Sequence, residues 1–105
     1  MPQMSIEKIS NRLKPLFIDN DVEKAILFGS YARGSQTRKS DLDLVIILET
    51  DKRFFDRYND FNEIHKLIKD CIVDFLIYTP KEFKDISHRK FIKKILGEGK
   101  TIYER

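Results

Sequence analysis

Three short apolar runs constrain the chain most: residues 22–28 (VEKAILF), 42–48 (LDLVIIL) and 72–78 (IVDFLIY). Runs of this length, rich in Ile, Leu and Val, read as strands of a buried sheet. Two of them carry a carboxylate in their apolar interior. Asp43 stands between Leu42 and Leu44, and Asp74 between Val73 and Phe75. An ionised carboxylate in such a setting costs several kcal/mol, of the order of 3–5, unless it is paired or metal-bound. Strand alternation puts Asp74 on one face with Ile72 and Leu76, and Val73, Phe75 and Ile77 on the other. It likewise puts Asp41 and Asp43 on one face, with Cα atoms about 6.6 Å apart.

Between the strands the periodicity is helical. Ser5 caps a first helix whose apolar positions are Ile6, Ile9, Leu13, Leu16 and Phe17, with Glu7 in its first turn; Pro15 is expected to kink or end it. SYARG forms a single helical turn from Ser30, followed by the polar loop SQTRKS. From residue 53 to residue 70, Phe54, Phe55, Tyr58, Phe61, Ile64, Leu67 and Ile68 recur at intervals of three and four, the stripe of an amphipathic helix packed on the core. Thr79-Pro80-Lys81-Glu82 is a capping box with proline at the first helical position. That helix runs through Phe83 and Ile86, breaks near Ser87, resumes through Phe91, Ile95 and Leu96, and stops at Gly97 or Gly99, leaving residues 101–103 for a short edge strand. The order predicts an α/β domain.

A chain of 105 residues is expected to form one domain, residues 1–105, with a single sheet and helices packed on it. No apolar stretch approaches the roughly 20 residues of a membrane helix, and the start MPQMSIEKIS lacks the basic and apolar regions of a signal peptide. A cytoplasmic location is the expectation. Cys71 is the single cysteine, so it forms no internal disulfide and reads as a small hydrophobe. His65 and His88 have no second His or Cys at ligand spacing and read as ordinary surface or half-buried residues. The net charge of +3 is uneven: in residues 81–100, Lys81, Lys84, Arg89, Lys90, Lys93, Lys94 and Lys100 oppose Glu82, Asp85 and Glu98, giving +4 there and −1 over the rest. A solvated helix face accounts for this better than contact with RNA or an acidic partner, and Phe83 and Phe91 fit a buried stripe better than a base-stacking platform.

Asp41-x-Asp43 alone is uninformative. With 10 Asp in 105 residues, about one Asp-x-Asp arises by chance, and Asp19-x-Asp21, at a turn, is such an accident. Gly29 to Gly34 has P-loop spacing, yet Ser35-Gln36 stands where Lys-Ser/Thr is required, so the ATPase reading fails. What survives is shared physics: Gly29 lets a phosphate approach the backbone, amides at the following helix turn and the Ser30 hydroxyl donate to it, and Arg33, with Lys39 more weakly, neutralises charge. Specificity lies in the combination of strand, Gly-Ser turn, basic loop, Asp-x-Asp opening a strand, and a further Asp in the next strand. Clustered carboxylates repel unless a cation joins them, so Asp41, Asp43 and Asp74 point to Mg²⁺ or Mn²⁺ in a phosphoryl-transfer site. The structural alternative has Asp41 capping the strand, Asp43 paired with Arg33 or Lys39, and Asp74 paired with a lysine.

The stretch LFGSYARGSQTRKSDLDLVIIL resembles the Gly-Ser, x10, Asp-x-Asp signature of the polymerase β-like nucleotidyltransferase superfamily, in its minimal (MNT) branch; VDFLIYTPKEF resembles that family's third-carboxylate strand, and KKILGEGKTIYER its C-terminal end. The resemblance implies an α/β fold with a small mixed sheet and helices packed on it. It assigns Gly29 and Ser30 to nucleotide phosphates, Asp41 and Asp43 to the metal ions, and Asp74 to the catalytic metal and the acceptor hydroxyl. It also implies ATP as the donor of AMP. As an MNT antitoxin, the chain would transfer AMP to a hydroxyl, a tyrosine, of a partner HEPN toxin. Alternatives are neutralisation of the partner by binding alone, or transfer to a small molecule or an RNA end.

Overall fold

The structure is a computed structural model and describes residues 4–105. Helix α1 spans Ile6–Asp19; the Ser5 side chain accepts from the Lys8 amide at 3.1 Å and closes its first turn. Its stripe of Ile9, Leu13, Leu16 and Phe17 is buried. Pro15 lies inside this helix and does not end it. Pro15 is exposed, as is Asn11, whose carbonyl loses its helical partner to the proline, so water can satisfy that carbonyl while Leu16 and Phe17 anchor the last turn.

Strand β1 (Lys24–Phe28) passes through Gly29 into helix α2 (Ser30–Arg33), which ends at Gly34 in the left-handed region. Strand β2 is Leu42–Ile47, β3 is Val73–Tyr78 and β4 is Lys100–Glu104. The sheet order is β3-β2-β1-β4, with β1 antiparallel to β2 and β4, and β2 parallel to β3. The sheet is mixed, as expected, and β4 is an edge strand.

The amphipathic helix expected over residues 53–70 is not one α-helix. Phe54–Phe61 is a 3-10 helix, followed by the short helix α3 (Ile64–Leu67). Two causes act together. The segment FFDRYNDF is poor in strong helix formers, and its Asp and Asn side chains compete for backbone groups. Arg57, at three residues from Phe54, turns inward rather than outward: it is buried, its Nε donates to the Lys52 carbonyl at 3.0 Å and Nη1 to the Ile77 carbonyl at 3.1 Å. Three residues per turn align Tyr58, Phe61 and Ile64 on the core side; Phe55, at the start of the same row, is 81% exposed.

Helices α4 (Pro80–Asp85) and α5 (Lys90–Glu98) flank the expected break at Ser87. The Thr79 and Glu82 capping box forms in full. One sheet face, carrying Leu27, Leu42, Leu44, Ile46, Val73, Phe75 and Ile77, packs on α1, the 3-10 helix and α3. The other, carrying Ile26, Val45 and Ile47, packs on Phe83, Ile92 and Ile95 of α4 and α5. Helices thus cover both faces, and the second face opens into a cleft at its Phe28 end.

Candidate active site

Cross-strand register builds the site. Phe28 pairs with Asp43 across β1 and β2, and Asp43 with Asp74 across β2 and β3. Phe28, Asp43 and Asp74 therefore form one row on one sheet face, neighbours about 4.8 Å apart along it. The next row on that face, Ile26, Val45 and Leu76, runs beneath α5. Asp41 immediately precedes β2, where the Leu42 amide bonds to the Ile72 carbonyl at 2.9 Å and carries the pairing to the strand's start.

Gly29 is required at its position twice over. Its φ of 76° with ψ of −154° is open to glycine almost alone. In addition, a Cβ there would land on the Oδ2 of Asp43 and lie 3.3 Å from its Cγ. The turn thus brings bare backbone against the carboxylate, and Ser30 begins a helical turn beside it. The first amides of that turn have no helical acceptor and stay available to an anion. Arg33, one turn on, is exposed and pairs with Glu98 at the end of α5 at 2.9 Å. An exposed pair of this kind contributes about 0–1 kcal/mol, so phosphate can draw Arg33 away from it.

Among the described residues, none of Asp41, Asp43 and Asp74 takes part in an ion pair; the pairings of the structural alternative do not form. Lys39 is exposed in a loop closed by the Thr37 amide on Ser40 Oγ at 2.8 Å. Burial, then the charges of Asp74 and Asp41, push the Asp43 carboxyl above its ordinary value, and Arg33 pulls it the other way. Like charges facing one another in this manner are relieved by a divalent cation. No three His, Cys, Asp or Glu side chains among the described residues are drawn into a closed metal cage. Mg²⁺ needs none: it keeps waters and takes one or two carboxylates together with substrate phosphates. The oxygen donors present fit such an ion.

A cleft of about 450 Å³ opens beside this row, lined by Phe28, Asp43, Asp74, Phe75, Leu76 and Phe91. Phe91 is not part of a buried stripe; it is 55% exposed and meets Phe28 edge to face, with ring centroids 5.8 Å apart. Asp43 is half-buried and Asp74 exposed because their face borders this cleft, even though both sit in apolar strands.

The model of the nucleotidyltransferase domain family matches residues 6–102. The chain belongs to the nucleotidyltransferase family. A protein of Methanocaldococcus jannaschii named as a candidate protein adenylyltransferase, MJ0604, is 30% identical to it over 101 residues, covering 96% of this chain and 97% of the relative. Two solved structures share the fold. A chain from the crystal structure of a toxin-antitoxin with AMP-PNP superposes with a TM-score of 0.65 at 21% identity, covering 91% of this chain and 73% of that one. A chain from the complex of tri-AMPylated Shewanella oneidensis HEPN toxin with MNT antitoxin superposes with a TM-score of 0.60 at 16% identity, covering 95% and 73%.

In this nucleotidyltransferase, periodicity missed three features of the site. Phe28 is the last residue of an apolar run, and only its pairing with Asp43 places it at the cleft. Phe91 is four residues from Ile95, which made it look like a member of the buried stripe. Glu98 restrains Arg33 across 65 residues of sequence, a contact no local pattern announces.

Proposed function

We propose that the chain transfers AMP from ATP to a hydroxyl group, a tyrosine, of a partner HEPN toxin, and so acts as its antitoxin. The observation that carries this reading is the in-register pair Asp43 and Asp74, with Asp41 beside it and bare Gly29 backbone against Asp43. The relative named as a candidate protein adenylyltransferase and the fold shared with toxin-antitoxin structures support it.

Gly29 and Ser30 seat the triphosphate, with Ser30 Oγ and the first amides of α2 as donors, and Arg33 adds positive charge on leaving Glu98. Asp41, Asp43 and Asp74 would hold a divalent cation, Mg²⁺ or Mn²⁺, whose chemistry is to neutralise charge on the transferring phosphoryl and its leaving group. Asp74, exposed at the end of the row, orients the acceptor hydroxyl and takes up its proton. The acceptor oxygen bonds to the α-phosphorus as the bond to the bridging oxygen of the β-phosphate breaks, and pyrophosphate leaves. Positioning along one sheet row supplies the alignment this displacement needs.

Incubating the chain and its HEPN partner with ATP labelled at the α-phosphate tests the reading. Label should appear on a tyrosine of the partner with the wild type and vanish with Asp41→Asn combined with Asp43→Asn. Equal labelling by both refutes it. Protection of cells from the toxin by the double variant, with no label transferred, would establish neutralisation by binding instead.

A further inference from the structure

We infer that the Phe28–Phe91 cleft is the seat of the donor's base and that Phe91 is a specificity-determining residue, selecting purine over pyrimidine nucleotides without distinguishing adenine from guanine. The inference rests on the nucleotidyl-transfer reading of the carboxylate row. The cleft shares Asp43 and Asp74 with that row and extends from them under α5. A nucleotide whose phosphates lie on Gly29 and Ser30, with its α-phosphate at Asp43 and Asp74, directs its sugar and base into this adjoining space. The acceptor needs no pocket here, because Asp41 and Asp74 are exposed and can be reached from solvent.

The lining sets the selectivity. The side chains of Phe28, Leu76 and Phe91 are apolar, Phe75 turns its side chain to the opposite face, and the polar side chains lining the cleft are the two carboxylates, which the phosphate chemistry engages. No side chain in the lining is left to read the hydrogen-bonding edge of a base. Recognition then comes from stacking, which every base offers and which grows with ring area. Phe91 is free to stack. It is held edge to face by Phe28 with an interplanar angle of 86°, yet stays 55% exposed, while Ile92 and Ile95 fix α5 to the sheet. The far end of α5 reaches the phosphate turn through the Arg33–Glu98 pair, so base seat and phosphate seat adjoin.

The test is direct binding of α,β-methylene-ATP, -GTP and -CTP with Mg²⁺ to the full chain by calorimetry, for wild type, Phe91→Ala and Phe91→Tyr. Because Phe91 is exposed, its truncation leaves the fold intact. The wild type should bind the two purine analogues alike and both more tightly than the cytidine analogue. Phe91→Ala should weaken purine binding about 5- to 100-fold and erase the preference, with Phe91→Tyr restoring it. Inorganic tripolyphosphate with Mg²⁺ should bind wild type and Phe91→Ala equally. Equal affinity of wild type and Phe91→Ala for the purine analogues overturns the base seat and leaves the transfer reading standing. An unchanged nucleotide affinity with a raised KM for the protein acceptor also overturns it and makes the cleft an acceptor seat. If the wild type binds neither nucleotide nor tripolyphosphate, both readings fall.

Discussion

Glu82→Gln removes one charge and keeps the capping box, because a Gln side chain still accepts from the Thr79 amide as Glu82 Oε1 does at 2.9 Å. What it breaks is the fork with Arg57, whose Nη1 donates to Oε1 at 2.6 Å and Nη2 to Oε2 at 3.0 Å. These bonds, with the Thr79 amide adding to them, hold the Glu82 carboxyl down from 4.5 to about 2. At about 1.36 kcal/mol per pH unit, that difference corresponds to about 3 kcal/mol. The Arg57 side chain is 7% exposed but that of Glu82 is 43% exposed, so solvent screening reduces the expected loss to about 1.5–2 kcal/mol. For a chain of this size, this lowers Tm by about 7–9 °C.

The folded value lies below the unfolded one, so the stabilisation is present in full above the unfolded pKa and is lost as pH falls toward about 2. Thermal or urea unfolding of wild type and Glu82→Gln across about pH 3 to 7 should show a constant difference down to about pH 5 that closes below it. Transfer per folded molecule should stay at the wild-type level, since Glu82 lies beyond the end of β3 and Asp74 at its beginning. Identical stabilities at neutral pH, or a difference that does not change with pH, would refute the reasoning.

Three further outcomes are expected. Gly29→Ala should lose nucleotide binding and about 1–3 kcal/mol of stability from its backbone conformation alone, with an added clash that Gly29→Ala combined with Asp43→Ala relieves; unfolding of the single and double variants measures both parts. Asp43→Asn should abolish transfer yet raise the Tm of the metal-free protein at neutral pH, because burial and the charges of Asp74 and Asp41 disfavour the ionised form in the folded state; the gain should vanish at pH values low enough to protonate the carboxyl in both states, and a variant less stable than wild type at neutral pH contradicts this. Arg33→Gln should change stability by less than about 1 kcal/mol and weaken binding of tripolyphosphate with Mg²⁺, whereas Glu98→Gln should leave that binding unchanged or tighten it.

Local pattern was enough for β1, β2 and β3, because buried strands announce themselves as apolar runs and their ends as Gly, Pro and capping residues. It also singled out Asp43 and Asp74 as carboxylates interrupting those runs, and pairing register sets the two side by side. It failed over residues 53–70, where apolar spacing of three and four suits an α-helix and a 3-10 helix almost equally. There the decision belongs to Arg57, whose carbonyl and carboxylate partners come from Lys52, Ile77 and Glu82, and two of the three lie 20 residues or more away in sequence. Phe91 failed for a related reason: Phe91 and Ile92 stand four and three residues from Ile95, so spacing fits both as its buried partner, and only the packing of α5 on Ile26 and Val45 buries Ile92 and turns Phe91 to the cleft. The chemistry of the site is thus written in residues whose type is costly where they stand. The shape of the site is set by pairing register, which places Phe28, Asp43 and Asp74 in one row and becomes fixed only when the sheet forms.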